Sequence, residues 1–127
     1  MTLACTIRLT HKTAKIAFPF VGRGLVPEAV SSFFLPKLIG HSKAMHILTT
    51  GETLLSGDRL VEGLFSEVLE APGMVLPRAL GIAETIATKA SAASVYLVKA
   101  MLWRTPPTPE ETHLLDSRLL AELYRGL

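Results

Sequence analysis

The stretch Phe18-Pro-Phe-Val-Gly-Arg-Gly-Leu-Val-Pro-Glu-Ala-Val-Ser-Ser-Phe-Phe-Leu-Pro-Lys-Leu-Ile-Gly40 decides how the rest of the chain reads. Lys15 to Phe20 reads as a short strand ending at Pro19 and Phe20, and Gly22 and Gly24 mark an irregular loop up to Val26. Pro27 suits the first position of a helix and Glu28 its first turn, where a carboxylate meets the positive end of the helix dipole. The helix over Ala29 to Leu35 is expected to break at Pro36, with Lys37 to Ile39 adding a turn before Gly40.

Upstream, Leu3 to Leu9 is apolar and β-branched enough for a strand, and Thr10 to Ala14 interrupt it. Cys5 sits in this run and is expected to be a small buried hydrophobe. Downstream, Ser42 is placed to cap a helix that runs through Leu48 and closes at Gly51. Glu52 to Leu55 is a short strand or turn. Ser56 starts a brief helix with Leu60 and Val61 on its apolar side, and Leu64 to Leu69 is a strand after Gly63. The remainder is helical. Val75, Leu76, Ala79, Leu80, Ala83, Ile86, Ala87 and Ala90 form a 3.6-residue stripe. A second helix from Ala92 carries Val95, Val98, Met101 and Leu102 on one side. The prolines between Thr105 and Pro109 end it. Thr108, Pro109 and Glu111 open a third helix with a capping box, and Leu115, Leu119, Leu120 and Leu123 mark its apolar side. The three long helices follow only four short strands, whose sheet would have exposed edges, so a partner segment is expected.

Composition narrows the function. Hydrophobic residues make up 49% of the 127 and charged residues 19%, which supports a packed core and argues against disorder. A net charge of +2, from 13 basic and 11 acidic residues spread without clustering, gives no footprint for nucleic acid or an anionic membrane. No apolar run is long enough to span a bilayer. The single cysteine excludes an internal disulfide. His11, His41, His46 and His113 lack metal-ligand spacing, so no metal site is expected. Ser31 and Ser32 have no evident His and acid partners for a hydrolase triad, and Gly22 with Gly24 falls short of a nucleotide fingerprint. Glu62, Glu67 and Glu70 read as solvated; Lys89, Lys99 and Arg104 could reach a phosphate, but exposed helix charges of this kind usually do nothing specific.

The block from Phe18 to Gly40 resembles the enoyl-CoA hydratase/isomerase (crotonase) family, whose members carry an apolar strand ending in Pro, a Gly-Leu-x-Pro turn, a helix and Leu-Pro-x-Leu-x-Gly. Ala44 to Gly51, Ser56 to Val68, and the helices from Val75 and around Lys99 follow in the family's order. The resemblance covers essentially the whole chain and about half of a family member. It implies an α/β chain with part of the crotonase fold: residues 1–70 from the β/α core and residues 71–127 as a C-terminal helical region of the trimerisation type. It also implies that this is the C-terminal half, with Met1 falling after the glycine-rich turn behind the central strands. In that order Thr2 to Leu9 would be the start of a helix and the strand after it. The two backbone N–H groups with which the family stabilises a thioester enolate would then lie upstream.

Pro27-Glu28 followed by Ser31-Ser32 is similar to the Δ3,Δ2-enoyl-CoA isomerases of the family. The resemblance implies that Glu28 is the catalytic residue, moving a proton from C2 to C4 of an acyl-CoA in a dry pocket. Phe20 and Leu25 are the candidate substrate-binding residues. A hydratase of the family needs a second carboxylate directly after the strand's proline, and Phe20 stands there instead. No cofactor is expected beyond the coenzyme A that the substrate carries. The expected partners are an acyl-CoA and further copies of the chain, as trimer or hexamer. Family members occur in peroxisomes and mitochondria. The ending Arg125-Gly126-Leu127 is not a peroxisomal Ser-Lys-Leu tail, and Met1 to Ile7 is too short for a secretory signal. The alternatives are a hydratase-like protein, or an inactive truncated fragment acting as an oligomerisation module. Without the enolate site, Glu28 reduces to a first-turn carboxylate that stabilises its helix by about 0.3–1 kcal/mol.

Overall fold

The computed structural model describes residues 2–126. It is mixed α/β and mostly helical, with two compact units, Met1–Glu84 and Thr85–Leu127. Four short strands, β1 (Leu9–His11), β2 (Lys15–Ile16), β3 (Leu54–Leu55) and β4 (Glu67–Leu69), all fall in the first unit. So do helices α1 (Ser31–Ile39) and α2 (His41–Thr50). Helix α3 (Val75–Lys89) carries the boundary, and α4 (Ala92–Trp103) and α5 (Pro109–Arg125) belong to the second unit.

The strands pair as two separate ladders. β1 and β4 run parallel, with Leu9 opposite Glu67 and His11 opposite Leu69. β2 and β3 run antiparallel, with Lys15 opposite Leu55 and Ile16 opposite Leu54. A parallel pair needs a long crossover, and the intervening residues supply it with α1 and α2, which pack on one another. Leu3, Leu35, Ile39, Ala44, Ile47, Leu48, Leu54, Val61 and Leu64 form the core between these elements.

The expected strand over Leu3–Leu9 is absent. Residues Thr2–Ala4 form a 3₁₀ turn, and the strand starts only at Leu9. Arg8 accounts for the difference. It is buried, and its Nε donates to the Leu64 carbonyl at 2.7 Å, while Nη1 donates to the carbonyls of Leu3 and Cys5. A buried guanidinium must have its donors satisfied, and the chain curls around it to present those carbonyls. The curl leaves Cys5 exposed rather than buried.

α1 contains Pro36 without breaking. An interior proline costs about 3 kcal/mol. Breaking there would expose Leu35 at 0% and Ile39 at 7% relative accessibility, each contributing about 1.5–3 kcal/mol when buried. Burial therefore outweighs the lost hydrogen bond. At its other end α1 starts at Ser31, so Glu28 lies before the helix and not in its first turn. α2 begins at His41, with Gly40 (φ 86°, ψ 157°) at its cap; Ser42 plays no capping part. Gly51 ends α2 in the left-handed conformation. The brief helix after Ser56 is a 3₁₀ turn, Arg59–Val61, capped by Asp58, whose Oδ1 accepts from Leu60 N–H at 2.8 Å. Ser56 is buried and donates to the His11 carbonyl at 2.6 Å.

In the second unit, Ser91 and Thr108 cap α4 and α5. Thr108 Oγ1 accepts from Glu111 N–H at 3.2 Å, the first half of the expected capping box. None of the described residues of α3, α4 or α5 is buried. Of the α3 stripe, Leu76 and Leu80 are exposed, at 67% and 60%, while Val75, Ala79 and Ile86 are half-buried. Ser94, Leu97, Val98 and Met101 of α4 line a groove of about 250 Å³ with Asp116, Leu119, Leu120 and Leu123 of α5. The groove side of α4 is thus the 94, 97/98, 101 row; Val95 and Leu102, expected on that side, do not line it.

Candidate active site

Glu28 lies between a fixed point and a reversal. Pro27, with its ring-locked φ, precedes it. Ala29 (φ 52°) and Val30 (φ 60°) follow in left-handed backbone conformations. Ser31 then opens α1 and grips the Glu28 carbonyl twice, with its N–H at 3.0 Å and its hydroxyl at 2.5 Å. Ser31 is buried and Glu28 exposed, so this grip is partly shielded from water.

The turn brings Glu28, Ala29 and Ser31 to the rim of a cavity of about 390 Å³. Its apolar wall comes from Leu3, Ile16, Phe18, Phe20, Leu64 and Phe65, and its polar groups are Arg8, Lys15, Glu28 and Ser31. β2 carries Lys15 and Ile16, and the following segment brings Phe18 and Phe20 onto the same wall. Arg8 also lines the cavity and fixes the Leu64 carbonyl, one residue before Phe65. Burial lowers the Arg8 guanidinium below its ordinary pKa, with an opposing contribution from Cys5. Glu28 is the one carboxylate among the described residues lining this cavity, and its side chain has no hydrogen-bond or ion-pair partner among them. It is free to take up a proton from a molecule in the cavity. It is also exposed, so the dry surroundings that such chemistry favours are not supplied by residues 2–126.

Of the residues singled out from sequence, Phe20 and Glu28 meet at this cavity. Leu25 does not line it; it is 57% exposed, and its N–H closes a loop on the Phe20 carbonyl at 3.0 Å. Ser31 spends its hydroxyl on Glu28, and Ser32 is exposed. His46 pairs with Glu52 at 2.6 Å on the surface, and His11 with Thr13 at 3.0 Å. Among the described residues, no group of three His, Cys, Asp or Glu could hold a metal ion. Glu67 pairs bidentately with Arg78 at 2.8 and 2.6 Å, Glu70 with Lys12 at 2.6 Å and Glu62 with Lys43 at 3.7 Å, all at the surface. Lys99 and Arg104 border a separate depression on α4 with Tyr96 and Trp103. Arg8 and Lys15 were not picked out by sequence reasoning. A lone arginine between Ile7 and Leu9 in an otherwise apolar run was the available signal for Arg8.

Residues 1–125 match the family model described as enoyl-CoA hydratase/isomerase. The chain is 49% identical over 126 residues to Enoyl-CoA hydratase AFT3-1 of Alternaria alternata, covering 99% of this chain and 43% of that protein. It is 29% identical over 124 residues to a probable enoyl-CoA hydratase of Rhizobium meliloti, covering 98% of this chain and 48% of that protein. Among solved structures it is similar to a probable enoyl-CoA hydratase/isomerase from Mycobacterium abscessus, with a TM-score of 0.87 at 30% identity, covering 96% of this chain and 50% of that one. The crotonase-type α/β fold expected from the sequence is thereby established. The chain spans less than half the length of these curated relatives.

Proposed function

The chain belongs to the enoyl-CoA hydratase/isomerase family, and on that footing we propose that it is the C-terminal half of an acyl-CoA isomerase in which Glu28 carries the proton. The base takes a proton from C2 of a 3-enoyl thioester. The C2–H bond breaks, an O–H bond forms on Glu28, and the electron pair moves to the thioester oxygen as an enolate. Glu28 then returns the proton at C4, and the double bond settles between C2 and C3. Enolate charge needs preorganised donors. The part of the family fold that this chain does not span is proposed to supply those donors and the cover that keeps Glu28 dry.

The observation that carries this reading is the pairing of one unpartnered carboxylate, Glu28, with an aromatic and aliphatic wall that includes Phe20. One carboxylate suffices for a C2-to-C4 shuttle. Hydration is the second reading, favoured by the names of relatives 44–49% identical over this chain, all enoyl-CoA hydratases. It is disfavoured by Phe20, where the resemblance leads one to expect the second carboxylate that would hold water. No cofactor enters either reaction. The unburied α3, α4 and α5 faces support self-association, and no helix among the described residues is long and apolar enough to cross a membrane.

The test supplies the protein as the cell makes it with a 3-enoyl-CoA and, separately, a 2-enoyl-CoA, and follows the conjugated thioester by its ultraviolet absorbance. Isomerisation of the first that is lost in Glu28→Gln is expected. Hydration of the second without isomerisation of the first would move the assignment to a hydratase. The 127-residue chain alone is expected to be inactive, and brisk turnover by it would refute the proposed division of labour.

A further inference from the structure

Arg8 is a buried cation whose partners carry no charge. Its relative accessibility is 8%. Nε donates to the Leu64 carbonyl, and Nη1 to the carbonyls of Leu3 and Cys5. Arg8 forms no ion pair among the described residues. Its third nitrogen, Nη2, makes no hydrogen bond among them either. Nη2 is not sealed away, because no buried side-chain nitrogen or oxygen among the described residues lacks a partner. The open space that Arg8 borders is the cavity at Glu28. Burial lowers the Arg8 pKa, but a guanidinium starts so high that it keeps its charge.

Lys15 lines the same cavity, and it too has no ion pair among the described residues. Two cations and one carboxylate thus face a space whose remaining wall is aromatic and aliphatic. Filling that space with a methyl-ended hydrocarbon chain would strip water from both cations and give them nothing in return, a cost of several kcal/mol for a charge left unpaired. A carboxylate would replace the water with charge-assisted hydrogen bonds. Neither cation pairs with Glu28, which serves the carbons next to the thioester, so the group they would hold lies elsewhere on the acyl chain.

We propose that Arg8 and Lys15 form a carboxylate-binding site, and that the acyl group this cavity takes carries a carboxylate at the end remote from the thioester. This rests on the reading of the cavity as the acyl site and adds the class of substrate.

Suberoyl-CoA and octanoyl-CoA test it, since their acyl chains are equally long and differ only in ending with a carboxylate or a methyl group. Both are saturated, so binding is read without isomerisation. Calorimetric titration of the protein as the cell makes it should give suberoyl-CoA a Kd lower by about ten-fold or more. Lys15→Gln, a change at an exposed side chain, should shrink that preference by about two- to five-fold. A crystal structure of the suberoyl-CoA complex should place a carboxylate oxygen about 2.7–2.9 Å from Arg8 Nη2. Equal Kd values, an unchanged preference in Lys15→Gln, or a carboxylate lying away from Arg8 would overturn the proposal. So would an equal weakening of both ligands in Lys15→Gln, which would put the coenzyme phosphates on the lysine. Binding of neither ligand would overturn the acyl-CoA reading and this proposal with it. Isomerisation lost in Glu28→Gln together with equal Kd values would overturn this proposal alone.

Discussion

Replacing Gly63 with alanine should destabilise the first unit more than any other single methyl added at a glycine. Gly63 has φ +94°, and a Cβ built there would stand 2.7 Å from the backbone carbonyl oxygen of Leu38. The obstacle is main chain in the last turn of α1, so no side-chain rotation relieves it. Forcing an L-residue into this φ region costs about 1–2 kcal/mol, and overpacking against a fixed group adds about 1–3 kcal/mol. The narrower unfolded ensemble of alanine returns about 0.4–1 kcal/mol. The net loss is about 1–5 kcal/mol, a large part of the roughly 5–15 kcal/mol that holds a typical domain. Thermal unfolding followed by circular dichroism should show a Tm lower by roughly 5–20 °C. Gly22→Ala is the control, because a Cβ there meets nothing within 4 Å and φ is not positive. If the two variants melt together, Gly63 is not pinned against the Leu38 carbonyl and the close approach of this loop to α1 is wrong. The site would feel the change as well, since Leu64 and Phe65, the next two residues, line the Glu28 cavity.

Arg8→Met should cost about 2–4 kcal/mol in chemical denaturation, because it leaves the carbonyls of Leu3, Cys5 and Leu64 without their shared donor in a buried site. Arg8→Lys should not restore it, since an ammonium lacks the planar fork that spans three carbonyls; full recovery by lysine would refute this account. The Arg78 guanidinium holds the Glu67 carboxyl below its ordinary pKa through a side-chain hydrogen bond, and Glu67 reciprocally raises Arg78. A depressed carboxyl favours the folded state above its unfolded pKa, and that contribution fades as pH falls through the folded value. Arg78→Ala should therefore lower Tm slightly at neutral pH and not at all in strong acid, which flattens the acid-side slope of a Tm-against-pH series by a small amount because the pair is exposed. Identical slopes below about pH 5 would show that the pair does not persist in solution.

The features legible in the sequence were those set by short-range rules. Gly51 had to end α2 because only a residue without Cβ enters the left-handed cap cheaply. Thr108 and Pro109 had to open α5 because one offers an oxygen to Glu111 N–H and the other lacks a hydrogen to lose. The block from Phe18 to Gly40 gave both the family and the Glu28–Phe20 pair because its spacing is local. What escaped was decided by partners distant in the chain. Arg8 is satisfied by Leu64, 56 residues away, and no local rule turns an apolar run into a curl around a guanidinium. Pro36 stays inside α1 because Leu35 and Ile39 are buried by elements that the helix sequence does not mention. Leu97 faces the groove and Val95 does not, a choice made by the α5 leucines and not by the evenly apolar surface of α4. Glu28 shows both regimes at once. Its identity as a candidate was local, but its place was not, because the Ala29–Val30 reversal contradicts every local preference of those two residues. The reversal carries Glu28 to the cavity, and it is held by the hydrogen bonds of Ser31 and the first turn of α1, not by any preference of the two residues that make it.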